Sequence, residues 1–328
     1  MKSEVNNFWQ KLERPIMVLA PMADVTDVAF RRIIAKYGKP NVMWTEFVSA
    51  DGLALAPEAG QRKFLKSLEY SEVERPIVAQ FFTSHPERMK KAAELAAKLG
   101  FDGVDINMGC PDKSVEKQGA GASLMRNVSL ARELVRAAKE GAPNLPVSVK
   151  TRTGYSRPDL ENWLPEILKE DLAIVTVHAR TRKEMSKAPA RWEFVRRAVE
   201  IRDLSGKKTL IFGNGDVKNL KEARIRVRET GCDGVMLGRA IFGNPWLFSE
   251  RKPEIQEKLR VMVEHTNLFE KLLGEYKNFA VMKKHFKAYV TGFDGAGDLR
   301  VKLMDTNNAS EVEAVVNDFL LYYSHESR

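Results

Sequence analysis

Apolar and β-branched residues gather in short runs through the first 240 positions of the chain. The runs cover residues 16–22, 42–48, 76–82, 103–108, 147–151, 174–178, 209–213 and 234–238. Each is nearly continuous rather than alternating, which is the pattern of a parallel strand covered on both faces. Helical spacing lies between most of them. Residues 86–99 begin on a proline, carry Met89, Ala93, Leu95 and Ala96, and stop at Gly100, as helices favour proline at the start and glycine at the end. Residues 130–139 lead to Gly141, and 219–230 to Gly231. Eight buried strands alternating with helices predict an α/β fold, a (β/α)8 TIM barrel. The competing arrangement is a doubly wound open sheet, but its G-x-G-x-x-G after the first strand is absent. Beyond Asn244-Pro245-Trp246 the pattern changes, and 255–273, 279–290 and 311–322 show helical spacing only. The chain thus divides into a barrel domain over 1–248 and a small all-helical domain over 249–328.

Composition narrows the setting. With 328 residues, 44% of them hydrophobic and 30% charged, the chain buries a full core, and wholesale disorder is excluded. Cys110 and Cys232 are the only cysteines, too few for a disulfide framework or a structural zinc site, so no metal is predicted. The longest early apolar run, 16–23, is too short to span a bilayer and lacks a signal-peptide layout. These features predict a cytoplasmic protein with no membrane partner. The tail lacks a coiled-coil heptad pattern, which favours a monomer. Basic residues number 53 against 44 acidic ones, a net of +9, and 12 of each follow residue 250, so all of the excess precedes it. A polyanionic partner fits that excess; so does a basic surface with no specific partner.

Barrel enzymes build their active sites at the C-terminal ends of the strands. Seven of the eight runs end there in polar or otherwise unusual residues: Ala20-Pro21-Met22, Gln80, Asn107-Met108-Gly109-Cys110-Pro111, Lys150 with Arg152, His178 with Arg180 and Arg182, Gly213-Asn214-Gly215-Asp216, and Gly238-Arg239. The glycines of the last two loops leave backbone N–H groups open, and such loops commonly hold a phosphate; the plainer role is to relieve tight turns. Lys150 and His178 are placed to meet one edge of a ligand. Positive charge near the N1–C2 edge of a flavin favours its anionic reduced form, although a Schiff-base role for Lys150 stays open. Cys110 is a nucleophile or a proton donor. An ordinary thiol pKa of about 8.5 leaves it protonated near neutrality, which favours the donor role. Cys232 reads as core filler.

The segments APMADVTDVAFR (20–31), AQFF (79–82), DINMGCPDKSVEKQGAGASLM (105–125), VKTRTG (149–154), VHARTR (177–182), GNGDV (213–217) and GCDGVMLGRAIFGNPWLF (231–248) closely resemble the tRNA-dihydrouridine synthases. The resemblance continues into VMKKHFKAYVTGFDGAGDLR (281–300) and is strongest to the bacterial B-type members. It implies FMN in the barrel mouth, NADPH or NADH as the nicotinamide dinucleotide that donates hydride, and reduction of the C5–C6 bond of uridines in tRNA, in the D-loop. It further implies FMN contacts by Pro21, Met22, Ala23, Gln80, Lys150, His178, Asn214, Gly215, Asp216, Gly238 and Arg239. Cys110 is then the general acid and Asn107 holds the uracil, with Arg180 and Arg182 on the substrate side. Lys283, Lys284, His285 and Lys287 line an RNA groove, or form one solvated helix face.

The chain departs from the family pattern at Asp24, where glycine is usual. It departs again at Ser186, Ala188 and Arg191, where a Tyr, a Gly and an Asp are common. Two rival readings are an FMN-barrel oxidoreductase acting on a free pyrimidine, like dihydroorotate dehydrogenase, and a non-catalytic RNA-binding relative. The basic excess, the NMGCP loop and the helical tail disfavour the first. The presence of Cys110, Lys150 and His178 disfavours the second.

Overall fold

The apolar runs form parallel strands in a computed structural model, which describes residues 7–326. The strands are β1 (Ile16–Leu19), β2 (Met43–Ser49), β3 (Ile77–Phe82), β4 (Gly103–Asn107), β5 (Val147–Arg152), β6 (Ile174–His178), β7 (Leu210–Asn214) and β8 (Gly234–Leu237). Their order is β1-β8-β7-β6-β5-β4-β3-β2. A parallel bridge between Val18 and Val42, with the Leu19 N–H donating to the Val42 carbonyl at 3.4 Å, joins β1 to the segment leading into β2. The sheet therefore closes into a barrel, and the open doubly wound alternative is excluded. Every residue of β1, β3, β4, β7 and β8 is buried, which is why these runs show no alternation.

The helix signals act as read in two places. Helix Pro86–Lys98 has proline in its first turn, and Gly100 follows it at φ +79°. Helix Leu220–Thr230 has the Asn219 side chain accepting from the Glu222 N–H (2.8 Å) and stops at left-handed Gly231. Gly141 acts differently: it is the last residue of helix Val128–Gly141. A Cβ on it would fall 2.2 Å from the Lys90 carbonyl oxygen, so its absent side chain lets two helices meet backbone to backbone. Trp9, in the short turn Phe8–Lys11, packs on Trp44 (5.6 Å between ring centroids) and edge-on to Phe212 (5.9 Å), filling the end of the barrel core opposite the candidate site.

The chain forms two compact units. One takes the chain up to Ala23 with Pro40–Gly238; the other takes Asp24–Lys39 with the chain from Arg239 onward. The second unit holds helices Val28–Tyr37, Ile255–Leu273, Lys283–Tyr289, Ala296–Asp305 and Ala309–Glu326. Helix Val28–Tyr37, which follows β1 in sequence, thus belongs by its packing with the C-terminal helices. Residues 279–290 split into a 3-10 turn, Phe279–Met282, and an α-helix, because the Asn278 side chain caps the turn at the Ala280 N–H (2.8 Å). Helix Ala296–Asp305 escapes sequence reading, since it is short and buries only Ala296, Leu299 and Leu303. Among the described residues no helix is long and apolar enough to cross a membrane.

The core of the second unit is aromatic and holds two histidines. Phe30 stacks on His265 (4.7 Å), His285 meets both rings edge-on (4.9 and 4.7 Å), and Phe242 stacks on His285. His265, His285 and Tyr289 are fully buried, and neither the four ring nitrogens nor the Tyr289 hydroxyl has a hydrogen-bond partner. Burial pushes His265 down to about 3. His285 is also lowered, by burial first and then by the charges of His265, Lys284 and Lys277. The folded unit thus excludes a proton that the unfolded chain binds below about 6.5, so stability is full above that pH and falls as pH drops. At pH 5, His265 alone costs about 2 kcal/mol. Denaturant midpoints measured from pH 7.5 to 5 should decline steeply, and less so in His265→Phe, which keeps a ring against Phe30; parallel curves would refute the assignment.

Candidate active site

A chain of buried polar groups runs through β3, β4 and β5 towards the mouth. Gln80 is fully buried; its amide donates to Asp105 Oδ2 (2.5 Å), and its Oε1 accepts from Asn107 Nδ2 (3.1 Å). Ser148 on β5 donates its hydroxyl to the other Asp105 oxygen. Asn107 Oδ1 in turn accepts the backbone N–H groups of Gly109 (3.2 Å) and Cys110 (2.9 Å). A carboxylate only accepts, so Asp105 sets the orientation of Gln80, and Gln80 that of Asn107. Burial raises Asp105 to about 6, against the pull of Ser148, Gln80 and the Lys150 charge.

The Cys110 loop is braced from three further sides. The Cys110 carbonyl accepts from the Ala122 N–H (2.9 Å), and a Cβ on Gly121 would fall 2.8 Å from that oxygen. Arg152, 6% exposed, donates to the carbonyls of Gly109 (2.7 Å), Thr181 (3.1 Å) and Met185 (2.9 Å). The Cys110 side chain packs against a cluster of Phe82, Val115 and Ala120, on which Phe47 also rests. Burial raises the Cys110 thiol above its ordinary range, opposed by a backbone N–H of the Asp112 turn and by the charges of Lys150 and Arg152. The thiol is therefore neutral near pH 7.

Lys150 and His178 stand on β5 and β6. The Lys150 ammonium reaches Asn214 Oδ1 at 3.4 Å, and Asn214 donates to the Met236 carbonyl (2.7 Å). Burial, reinforced by Arg152, lowers Lys150 to about 8, with Asp105 and Cys110 acting the other way. Arg180 is 2% exposed and faces His178 Nε2 at 3.1 Å. A guanidinium only donates, so Nε2 is the acceptor and the ring proton sits on Nδ1. Arg180 also donates to Asp216 and to the Ala188 carbonyl (2.6 Å).

The three glycines read as phosphate-loop candidates have different causes. A Cβ on Gly213 would fall 2.2 Å from the Trp192 ring, and one on Gly215, at φ +132°, 2.8 Å from Ala190. Trp192 also donates its indole N–H to the Gly215 carbonyl (3.0 Å). Packing thus requires two of them. Gly238 is the open one: a Cβ there would meet nothing closer than Ala20 and Met22 at 3.6 Å.

The first unit therefore brings Gln80, Asn107, Cys110, Lys150, His178, Asn214, Gly215 and Asp216 to one mouth, with Pro21 buried and Met22 half-buried at the end of β1. Arg180 is directed inward, and Arg182 makes a bidentate pair with Glu116. In the second unit Arg239 and Lys287 are exposed, Lys284 is half-buried, and Lys283 donates to the Met304 carbonyl (2.7 Å). His285, grouped with those lysines on the sequence, is instead a core residue. Asp24 adopts φ +54°, where glycine is easiest, and pairs with Lys277 at 3.0 Å. Ser186 is exposed, and Arg191 pairs with Glu184 (2.7 Å). Cys232 is core, donating to the Gly234 carbonyl. Sequence reading passed over Asp105, Ser148 and Trp192. The carboxylate inside the apolar run 103–108 was the available signal for the first.

The family model described as dihydrouridine synthase matches residues 18–322. A probable tRNA-dihydrouridine synthase of Staphylococcus aureus (strain MRSA252) is 39% identical over 95% of this chain and 95% of its own. A probable tRNA-dihydrouridine synthase 2 of Bacillus subtilis (strain 168) is 40% identical over 95% and 96%. Among solved structures, a 2-naphthoyl-CoA reductase aligns at a TM-score of 0.54 and 12% identity, over 71% of this chain and 49% of its own. Histamine dehydrogenase from Rhizobium sp. 4-9 aligns at 0.51 and 13%, over 77% and 48%. At that distance the likeness concerns the barrel fold alone. Match length and identity over nearly the whole chain place this protein in the dihydrouridine synthase family.

Proposed function

We propose that the chain is a flavin-dependent tRNA-dihydrouridine synthase that reduces the C5–C6 double bond of uridines in the D-loop of tRNA, in the cytoplasm and as a monomer. The observation that carries the reading is the neutral Cys110 thiol, fixed by Asn107 and Arg152 at the mouth of a barrel whose close relatives bear that name.

The donor set fits FMN. Lys150 brings a cation whose contact with Asn214 is long, at 3.4 Å, His178 stands beside it on the next strand, and Gly238 leaves open space beside Met22. Pro21, Met22, Ala23, Lys150, His178, Asn214, Gly215, Asp216 and Gly238 would hold it, with Gln80 acting from behind through Asn107. Arg239 is assigned to the phosphate by its place after β8. When bound and reduced by NADPH or NADH, FMN supplies the hydride for uracil C6.

This chain's residues supply the rest. The Cys110 Sγ–H gives the proton to C5, a role its raised pKa suits. Asn107 keeps one amide hydrogen for the uracil while its oxygen holds the cysteine loop. Arg180 fixes the His178 tautomer. The target nucleotide must leave its stack to reach the mouth, at a cost of a few kcal/mol that is smaller in a loop. Lys283, Lys284 and Lys287 are assigned to the RNA backbone, with Lys287 the most exposed.

Mixed anaerobically after reduction, the flavoprotein should be reoxidised by tRNA lacking dihydrouridine, with dihydrouridine appearing in the RNA, and not by free uracil or orotate. Reoxidation by the small pyrimidines alone would overturn the reading. Cys110→Ala should lose turnover and retain tRNA binding. In the wild type the rate should hold through neutral pH and fall above about 8, where Lys150 loses its charge before the raised Cys110 thiol deprotonates. Asn107→Ala leaves two backbone donors of the cysteine loop without an acceptor, so denaturant unfolding should show a loss of about 1–3 kcal/mol. Turnover should fall more than tRNA affinity in that variant.

A further inference from the structure

A second cluster lies on the rim, where the loops after β4, β5 and β6 meet, and nothing in the reaction above uses it. Tyr155, half-buried in the loop after β5, has the Arg126 guanidinium over its ring at 4.4 Å and that of Arg182 at 5.5 Å. The ring is firmly placed. The Gly154 carbonyl accepts from the Arg182 N–H and the Tyr155 carbonyl from the Lys183 N–H, both at 2.9 Å. A Cβ on Gly154 would fall 2.1 Å from the Arg157 oxygen, which fixes the bend just before the tyrosine.

The two arginines differ in what else they do. Arg182 is neutralised by its bidentate pair with Glu116, in helix Lys113–Lys117, which starts three residues after Cys110. Arg126 is exposed and has no carboxylate partner among the described residues. It ends the turn Gly121–Arg126, whose first residues rest on the Cys110 carbonyl. The ring and its free cation are thus tied to the cysteine loop on both sides.

We propose that Arg126 and Tyr155 form a stacking platform for a nucleobase adjacent to the target uridine. This rests on the tRNA reading of the site. A uridine drawn out of its stack leaves a neighbour with a bare face, and such faces stack on aromatic rings and on guanidinium planes. The unpaired charge of Arg126 then meets the phosphate between the two nucleotides. A purely internal staple would pair both guanidiniums with carboxylates; here only the inner one is paired.

The test uses the full-length, oxidised holoenzyme, which binds without turning over. Its probe is a D-arm stem-loop RNA carrying 2-aminopurine next to the target uridine, on either side in turn. Wild type should quench 2-aminopurine fluorescence from one of the two positions. Tyr155→Ala and Arg126→Ala should each abolish that quenching and weaken binding by roughly 5- to 100-fold, while Tyr155→Phe retains both. Arg126 is exposed, so its variant serves even if Tyr155→Ala melts at a lower temperature. Unchanged quenching in the two alanine variants overturns the platform, and so does weaker binding with quenching intact, which would reflect charge alone. Failure of the underlying reading is separate: the reduced wild-type enzyme would then form no dihydrouridine in the unlabelled stem-loop.

Discussion

The buried carboxylate of Asp105 is the constraint from which the mouth is ordered. A charge inside a barrel is tolerated only when its lone pairs are met by donors. Gln80 and Ser148 meet them from the two neighbouring strands. Because a carboxylate cannot donate, the direction of every subsequent hydrogen bond is fixed, through Gln80 and Asn107 to the backbone of Gly109 and Cys110. A residue three positions into a strand thereby determines where a thiol stands on the loop beyond it.

The same enclosure tunes the groups that face the mouth. Burial raises Asp105 and Cys110 and lowers Lys150 and Arg152. Each shift penalises the charged form, and each is partly offset by a neighbour of opposite sign. Lys150 is lowered to about 8 yet remains largely charged at neutral pH, while the thiol remains largely protonated. A cation beside an uncharged acid is the combination that proton delivery to a carbanionic carbon requires. It arises from burial rather than from any specially acidic cysteine.

The barrel was legible because its strands are buried on both faces, and double burial writes a continuous apolar run. The motif residues at the strand ends were legible for a related reason: a polar residue closing such a run either faces the mouth, as Lys150 does, or braces the loops around it, as Arg152 does. Direction and contact were not legible. Gly141 and Gly213 look like turn signals, yet one admits a neighbouring helix and the other the Trp192 ring. His285 sits among lysines in sequence and faces the opposite way on its helix. Helix Val28–Tyr37 follows a barrel strand but packs with helices more than 200 residues away, through Phe30 on His265 and Tyr37 on Glu264. No local pattern carries that information.

Arginine has a distinct part in the site. Arg152 ties the loops after β4 and β6, Arg180 those after β6 and β7, and Arg182 the loop after β6 to the helix beyond Cys110. Each has several donors on a planar fork, and so joins loops from distant parts of the chain in a way a lysine cannot. Consequently the basic excess of the first 250 residues is not simply an RNA-facing surface. Part of it is structural, and at contact range those guanidiniums are already occupied. Their field still extends outward, so they contribute to attracting a polyanion at long range. Close contact falls to exposed cations without a carboxylate partner among the described residues, such as Arg126, Arg157 and Lys183 in the loops after β4, β5 and β6, so their placement, and not the net charge of +9, decides where a polyanion meets the first unit.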